Sequence, residues 1–484
     1  MAGYERLSRD ELLGLLAERD QLIAGLQEKV ARLERLVSRN SGNSSMPPSA
    51  DDLPGRKPPG DKPRRGGGKR KPGKQPGAPG SHLAWSQNPD KRVPHFPEGA
   101  CECGADLAGA RDLGVAASHQ EVEVPLAPAQ VIQHDRHAVA CGCGRVHQAA
   151  APAGAGAPGT VTCGLNLRAL AVYLVVFQHV PVERCRQLLA DVAGAEVSAG
   201  FVHSCLARAA DAVADVIRLI RTLITAAWVA GFDETTLRCG PAGTKKHVLG
   251  AFTELYSLFF LGRRNLQSFR DFGILADFAG IAVSDRYACY FHDGWEHLAG
   301  HQPCLAHILR DYQDAAESWP GAIWPAQAQR ALRGLIRAWH AARDAGQAGI
   351  PAGIRDPLAR EFRHAVLAGL AGIPRIPGPK NTTAQHPGRD LLEFCRDRQD
   401  DVLRFTTDTR VWPTNNISER GVRPLKTQQK ISGRLTSEDA TQDRLDIRGY
   451  LDTARKHGQD VMTVLRTVMT GTPWSPPVPA AASP

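Results

Sequence analysis

The sequence lacks any apolar run long enough to cross a bilayer. The longest, Ala169–Phe177, is far shorter than the roughly 20 residues that a spanning helix needs. The charged, amphipathic N-terminus does not have the pattern of a secretory signal. A disulfide framework is also missing, because seven of the eleven cysteines are isolated and four form two close pairs. We therefore expect no membrane span and a reducing cytoplasmic environment.

Acidic residues are nearly missing from one segment. Pro54–Gly80 contains nine Lys or Arg and one Asp, so it carries +8 of the formal net charge of +9. The sequence pI of 9.1 therefore describes this segment and not the folded part. Its Pro and Gly content predicts a disordered linker over 40–90. The basic run is a solubilising linker, a phosphate-binding arm with salt-dependent binding, or a nuclear-localisation sequence.

A chain of 484 residues is too long for one core and indicates several domains. Residues 4–39 predict a coiled coil that pairs copies of the chain. Ser8 and Glu11 have capping-box spacing at the start of this helix. Seven of the eight seam positions are apolar. The a positions hold Leu16, Ile23, Val30 and Val37, and the d positions hold Leu12, Leu26, Leu33 and one charged residue, Arg19. The alternative is a helix packed on its own protein.

Two C-x-C-G pairs occur in the segment 91–150, which we interpret as zinc-ribbon-like. Their cysteines are Cys101, Cys103, Cys141 and Cys143. Two thiolate pairs on adjacent turns suit tetrahedral zinc, and the Gly after each pair lets the chain turn. His137 or His147 could replace a cysteine, and the alternative is four reduced thiols without metal. The intervening stretch, Gln120–Ala140, looks strand-rich.

Residues 160–226 predict a helical region with a helix-turn-helix pattern. Gly194 falls in the turn, and Ser198 is placed to cap the second helix. Such a unit places its second helix in a DNA groove. Two-helix corners of this kind are also common in all-α domains without DNA, and that alternative stays open.

The pattern changes to strands after Ala227. Three apolar runs form a meander, a helix follows, and strands then alternate with helices, which predicts an α/β sheet. Asp233 lies on the first strand and Asp285 at the end of the fourth. His307 and Arg310 lie on the helix of the "HQPCLAHILRDYQD" segment.

Acids on neighbouring strands repel each other unless a cation lies between them. Pairs of hard oxygen ligands suit Mg²⁺ or Mn²⁺, and two such ions can support phosphoryl displacement. Glu419 on its own helix offers a third acid, and cations beside it would hold a nucleic-acid backbone: Arg420, Arg423, Lys426, Lys430 and Arg434. Each Asp could equally be a strand-end cap. The competing acids are Glu234, Asp293, Glu296 and Asp408.

The chain resembles the insertion-sequence-66-type transposases of bacteria, in their large transposase subunit. The resemblance rests on motifs in order: "RNSGNSSMPPSADD", "GKQPGAPG", the C-x-C-G pairs, "FDET", "SDRYACY", "CLAHILRDY", "NNISERGVRPLKTQQKISG", "YLDTARKHG" and "GTPWSPP". It implies a ribonuclease-H-like core with an Asp-Asp-Glu triad formed by Asp233, Asp285 and Glu419. Arg286 departs from the pattern, because a small residue commonly follows the second acid in that family.

The resemblance also implies the remaining boundaries and the activity. The core would span 227–320 and 402–472, interrupted by a helical insertion at 321–401 and followed by a disordered tail at 473–484. The expected function is a DNA transposase that uses two Mg²⁺ or Mn²⁺ ions to cut element ends and join them to target DNA. Its partners would be double-stranded DNA at the terminal inverted repeats and target, a second copy of the chain, and accessory proteins of the element.

Two other functions stay open at this point. One is a catalytically silent DNA-binding regulator descended from such a transposase. The other is a recombinase that attaches covalently to DNA through Tyr287 or Tyr290.

Overall fold

The computed structural model describes residues 8–38, 85–122, 128–151, 157, 159–375 and 387–478. They belong to two compact units, one covering Asp61–Gln130 and the other the rest of the chain. Most of the predicted basic linker, 40–84, lies outside the described residues. Within the described part, no helix has the length and apolarity needed to span a membrane.

The larger unit contains a five-stranded mixed sheet and a small hairpin. The hairpin strands are β1 (Ala138–Ala140) and β2 (Val146–Gln148). The strands of the sheet are β3 (Val229–Leu237), β4 (Lys246–Phe252), β5 (Ser257–Gly262), β6 (Ile281–Ser284) and β7 (Gly300–Pro303). Their spatial order is β5-β4-β3-β6-β7. The first three form an antiparallel meander, and β6 and β7 run parallel to β3. The predicted succession of strands is confirmed.

Helices pack on both faces of this sheet. Those of the described residues are α1 (Arg9–Ser38), α2 (Leu165–Val172), α3 (Val182–Ala193), α4 (Ala199–Thr225), α5 (Leu266–Phe272), α6 (Ile274–Asp277), α7 (Leu305–Ser318), α8 (Trp324–Asp344), α9 (Ala352–Gly372), α10 (Pro387–Asp397), α11 (Gln399–Leu403), α12 (Asn416–Ile431), α13 (Glu438–Lys456) and α14 (Val461–Met469).

The two faces of the sheet follow from the alternation of side chains along β3. Ala230 and Phe232 pack into one hydrophobic cluster with α4 and α14. Val229 points to the opposite face and packs with Leu305 and Ile308 of α7. Two neighbouring residues of β3 can therefore reach entirely different surroundings.

The turn between α3 and α4 has the features predicted for Gly194 and Ser198. Gly194 ends α3 with a φ of 62°, a left-handed conformation that glycine adopts easily. Ser198 caps α4 by accepting the backbone N–H of Phe201 at 3.0 Å. The long helix α4 buries one face in the same hydrophobic cluster as β3. The predicted boundary at 226/227 thus does not separate two hydrophobic cores.

The N-terminal helix α1 covers most of the predicted coiled-coil range. Its apolar seam is exposed in the single chain, with Leu26 at 51% and Leu33 at 61% exposure. Association between copies through this seam stays a prediction.

The two C-x-C-G pairs form closely similar turns. The Cys101 N–H donates to the carbonyl of Ala105, and the Gly104 N–H donates back to Cys101. The turn at Cys141 repeats both bonds, and the φ of Gly104 and Gly144 is 88° and 81°. This confirms that each Gly allows the chain to turn.

The two pairs belong to different compact units, Cys101 and Cys103 to one, Cys141 and Cys143 to the other. The zinc site therefore stays a prediction. The expectation of a strand-rich stretch between the pairs is wrong for the residues described there, because only Ala138–Ala140 forms a strand.

Helices also fill the described part of the predicted insertion. The helices α8, α9 and α10 pack around one cluster that includes Leu332, Phe362 and Leu392, and 376–386 lies outside the described residues. The predicted disordered tail differs at its start. Trp474 packs 6.5 Å from Tyr450 between ring centres, and Pro476 is buried. Only 479–484 of that tail lies outside the described residues.

Candidate active site

Three elements bring the predicted acids to one end of the sheet. Asp233 lies within β3, Asp285 follows β6 directly, and β6 pairs in parallel with β3. Glu419 lies in the first turn of α12, which packs against β3 and β4. Carboxyl ends of adjacent parallel strands lie at the same sheet edge, which explains why two residues 52 positions apart become neighbours.

Asp233 is partly buried next to other acids. Burial, followed by the nearby carboxylates of Glu234 and Asp285, raises the pKa of Asp233 well above its usual value. The Glu419 carboxylate adds to this rise. The hydrogen bond recorded for the Asp233 side chain is to the backbone N–H of Glu234, at 2.9 Å. Opposite Asp233 on β4 stands Gly250, which places no side chain there.

Glu234 points to the other face of the sheet and has two polar partners. The Tyr290 hydroxyl donates to its Oε2 at 2.5 Å, and the Arg264 Nε donates to its Oε1 at 2.7 Å. The same guanidinium reaches Asp285, with 3.9 Å between its terminal nitrogen and Oδ2, and lies 4.0 Å from the ring centre of Tyr287. Arg264 was not predicted from the sequence, since only the folded sheet brings it to these acids.

Buried polar contacts fix the start of α12. The Asn415 side chain donates to the carbonyl of Phe232 at 2.6 Å and accepts the Ser418 hydroxyl at 2.6 Å. Gly231 provides the necessary space, because a Cβ there would lie 2.3 Å from Ser418 Oγ. The sequence Asn-Asn-x-x-Glu therefore includes a buried Asn that fastens α12 to β3 four residues before Glu419.

Glu419 faces His307 of α7. Its Oε1 lies 3.8 Å from His307 Nδ1, and both atoms are buried without a hydrogen-bond partner. Burial and the nearby Arg310 lower the pKa of His307, so its ring is neutral at pH 7. Ligand atoms of Cys304, His307 and Glu419 all lie within 4.8 Å of one another. Asp233 and Asp285, which are also described by the structure, are not members of this group of three.

Four of the five predicted phosphate contacts are exposed on α12: Arg420, Arg423, Lys426 and Lys430. Arg434 differs, because its terminal nitrogen donates to the carbonyls of Gly240, Pro241 and Thr244 at 3.3, 2.8 and 3.2 Å. Since this guanidinium holds the loop after β3, we remove Arg434 from the predicted DNA contacts.

Arg286, the departure from the family pattern, points away from the acids. Its guanidinium pairs with Asp311 of α7 and lies 5.2 Å from the ring centre of Phe394. The bulky residue after the second acid is therefore held by α7 and α10.

Neither candidate tyrosine is arranged as a nucleophile. Tyr290 is 1% exposed, and burial raises its pKa well above the usual value. The Tyr287 hydroxyl donates to the Arg264 carbonyl at 2.8 Å, and burial raises its pKa to about 12. Both phenols remain protonated at neutral pH. The competing acid Asp408 pairs with Arg410 and Trp228, whereas Asp293 and Glu296 lie exposed on the surface.

A mixed α/β sheet with converging acids beside an exposed row of cations is suited to a polyanionic substrate. Residues 160–443, more than half of the chain, match the family described as Transposase IS66 family. The chain belongs to this family, which supports a transposase function in general terms and DNA as the partner. Residues 6–84 match a second family, described as Family of unknown function (DUF6444). None of the curated proteins matches the chain.

Proposed function

We propose that this protein cleaves DNA at the ends of its element and joins the freed ends to target DNA, using Asp233, Asp285 and Glu419. The observation that carries the proposal is the convergence of these carboxylates, from β3, the end of β6 and α12, at one end of the sheet. Burial and the neighbouring Glu234 raise the pKa of the partly buried Asp233, and Asp285 and Glu419 from other elements raise it further. The strand order, an antiparallel meander continued by two parallel strands, supports the ribonuclease-H-like core that the family resemblance implies.

The donor set fits divalent magnesium or manganese. The triad provides only carboxylate oxygens, which these hard cations prefer. The raised pKa of Asp233 means that this carboxyl holds its proton more tightly than an ordinary one until a cation binds. Asp233 and Asp285 would hold the ions from adjacent strands, and Glu419 would complete the set from α12. Bound Mg²⁺ would supply positive charge that makes an attacking water more acidic and neutralises the phosphate.

The other residues position DNA. Arg420, Arg423, Lys426 and Lys430 would contact phosphates along the exposed face of α12, and Arg310 would extend this row from α7. In cleavage, a water oxygen bonds to phosphorus, the bond to the 3′ oxygen breaks, and the 3′ oxygen leaves as a hydroxyl. In joining, this hydroxyl attacks a target phosphodiester and displaces that strand's 3′ oxygen. One phosphodiester forms as one breaks.

The test is cleavage of DNA carrying the terminal repeats by the purified full chain with Mg²⁺. We expect Asp285→Ala to abolish release of the 3′ hydroxyl while leaving DNA binding intact. Asp293→Asn is the matched control, because this exposed acid follows the same strand. Cleavage that survives Asp285→Ala contradicts the proposal. No cleavage by any variant, with binding retained, identifies a silent DNA-binding regulator instead.

A further inference from the structure

A second set of metal ligands lies beside the proposed triad and has a different chemistry. Cys304 and His307 contribute a thiol and an imidazole, and the group shares only Glu419 with the triad. A thiol is a soft ligand that Mg²⁺ avoids and that Zn²⁺ accepts. The set of sulfur, nitrogen and carboxylate oxygen is therefore more suitable for zinc than for the ions of the proposed triad.

The fold places these ligands together through two helix starts. Cys304 caps α7, and His307 stands three residues later on the same face of its first turn. The start of α12 is attached to this turn, because the Leu305 N–H donates to the Pro413 carbonyl at 2.9 Å. The Asn415 N–H also donates to Cys304 Sγ at 3.2 Å, which holds the sulfur next to the start of α12.

Two buried atoms of the set have unmet bonding capacity. His307 Nδ1 and Glu419 Oε1 face each other at 3.8 Å, too far for a hydrogen bond, and neither has another partner. Leaving buried polar atoms unpaired is costly. Two ligands of one tetrahedral zinc ion lie about 3.3 Å apart. A small rotation of either side chain would therefore allow both atoms to bind the same ion.

We propose that Cys304 Sγ, His307 Nδ1 and Glu419 Oε1 bind one Zn²⁺ ion, with water as the fourth ligand. On binding, the S–H bond of Cys304 breaks, a sulfur–zinc bond forms and the proton passes to the buffer. The ion would hold one oxygen of Glu419, so it would fix the position of the third acid. This consequence rests on the proposed function, but the binding itself does not.

The experiment uses Co²⁺ as a spectroscopic probe for zinc in the full chain without DNA. The parent carries Ser at the four exposed cysteines of the C-x-C pairs, since those thiols would bind metal themselves. We expect one equivalent of Co²⁺ to give the charge-transfer absorption of a cobalt–thiolate bond. Carboxylates alone cannot produce this band, so the triad does not interfere.

Three variants of this parent decide the proposal. We expect Cys304→Ser to remove the band and His307→Ala to weaken binding by at least about tenfold. Cys395→Ser is the matched control, because this thiol is equally buried but lies outside the group. We also expect Zn²⁺ to raise the Tm of the parent and of Cys395→Ser, but not of Cys304→Ser.

Absence of the band from the parent overturns the proposal, as does a band of equal strength in Cys304→Ser. If Cys304→Ser does not fold, unchanged Co²⁺ affinity in His307→Ala overturns it instead. These measurements need no DNA. A zinc result therefore stands apart from the Asp285→Ala cleavage test, and either proposal can fail while the other holds.

Discussion

Asp233 and Glu234 are consecutive residues of β3, but their carboxylates have opposite surroundings. Glu234 receives hydrogen bonds from Tyr290 and Arg264 on its face of the sheet. Asp233, on the other face, has its own backbone and further acids as neighbours. The comparison indicates that a carboxylate held by a guanidinium and a phenol supports the fold, whereas one that stands among further acids is suited to bind a cation.

The largest effect is expected from Asp233→Asn. Cleavage should fall by at least about 10³-fold, because the residue acts as part of a catalytic unit. The free energy of unfolding should nevertheless increase at pH 7, since the substitution removes a partly buried carboxyl group whose pKa is raised by burial and by the acids around it. For a domain of about 200 residues, each kcal/mol raises Tm by about 2–4 °C. Thermal unfolding and a cleavage assay measure the two effects.

A loss of both activity and stability in Asp233→Asn would contradict this contrast between the two acids, because Asp233 would then be a structural residue. If added Mg²⁺ stabilises the wild type but not the variant, Asp233 is a ligand of the ion.

Glu234→Ala should show the reverse pattern on the other face. The change leaves the buried Tyr290 hydroxyl unpaired and removes the acid from Arg264, which is half-exposed. We expect a loss of about 2 kcal/mol in the free energy of unfolding, measured by urea denaturation. Tyr290→Phe removes the same hydrogen bond without leaving an unpaired hydroxyl, so it should cost less. Equal losses in the two variants would show that the hydroxyl has found another partner.

The same contrast applies to two cations, the exposed Arg423 of α12 and Arg434, which is hydrogen-bonded to a loop. Arg423→Ala should reduce the slope of log affinity against log salt by about 0.9, the value for one lost phosphate contact. Arg434→Ala should leave that slope unchanged and lower Tm, because its guanidinium is bound to loop carbonyls. Salt titrations of DNA binding by both variants distinguish the two roles. The same slope change in both would place Arg434 back among the DNA contacts.

The smallest effect is a pH dependence that comes from Asp233. Its pKa in the folded protein lies above the value of 3.8 for an ordinary Asp, so the folded state binds more protons. The resulting stability is present below pH 3.8 and is lost as pH rises through the raised pKa. Affinity for Mg²⁺ should rise over the same interval. Asp233→Asn should flatten the stability profile, and an unchanged profile contradicts the assignment.

Sequence patterns predicted the strands because each apolar run is short and bounded by turns. They also predicted that Asp233 lies on the first strand of the sheet, that Asp285 lies at the end of the fourth, and that Glu419 lies on a helix. Local spacing likewise gave Gly194 and Ser198 their turn and cap. Each strand, helix, turn and cap depends on residues within a few positions of each other, so a single sequence is enough to predict it.

Contacts between residues that are far apart in the sequence could not be predicted from local patterns. The attachment of Asn415 to Phe232 joins residues 183 positions apart, and Arg264 approaches two acids from β5 and the following turn. Arg434 looked like its neighbours in sequence, but a loop almost 200 residues earlier binds it. A charge pattern shows that a residue is basic, not whether something in the fold already uses that charge.

The missing side chain of Gly231 has a mechanical consequence. At this point β3 and α12 approach so closely that even a methyl group would collide with Ser418. The start of α12, which carries Glu419, therefore cannot move closer to β3 while Ser418 and Asn415 keep their positions. If the three acids bind the same ions, their side chains would approach each other by rotation about side-chain bonds, while α12 keeps its position on the sheet.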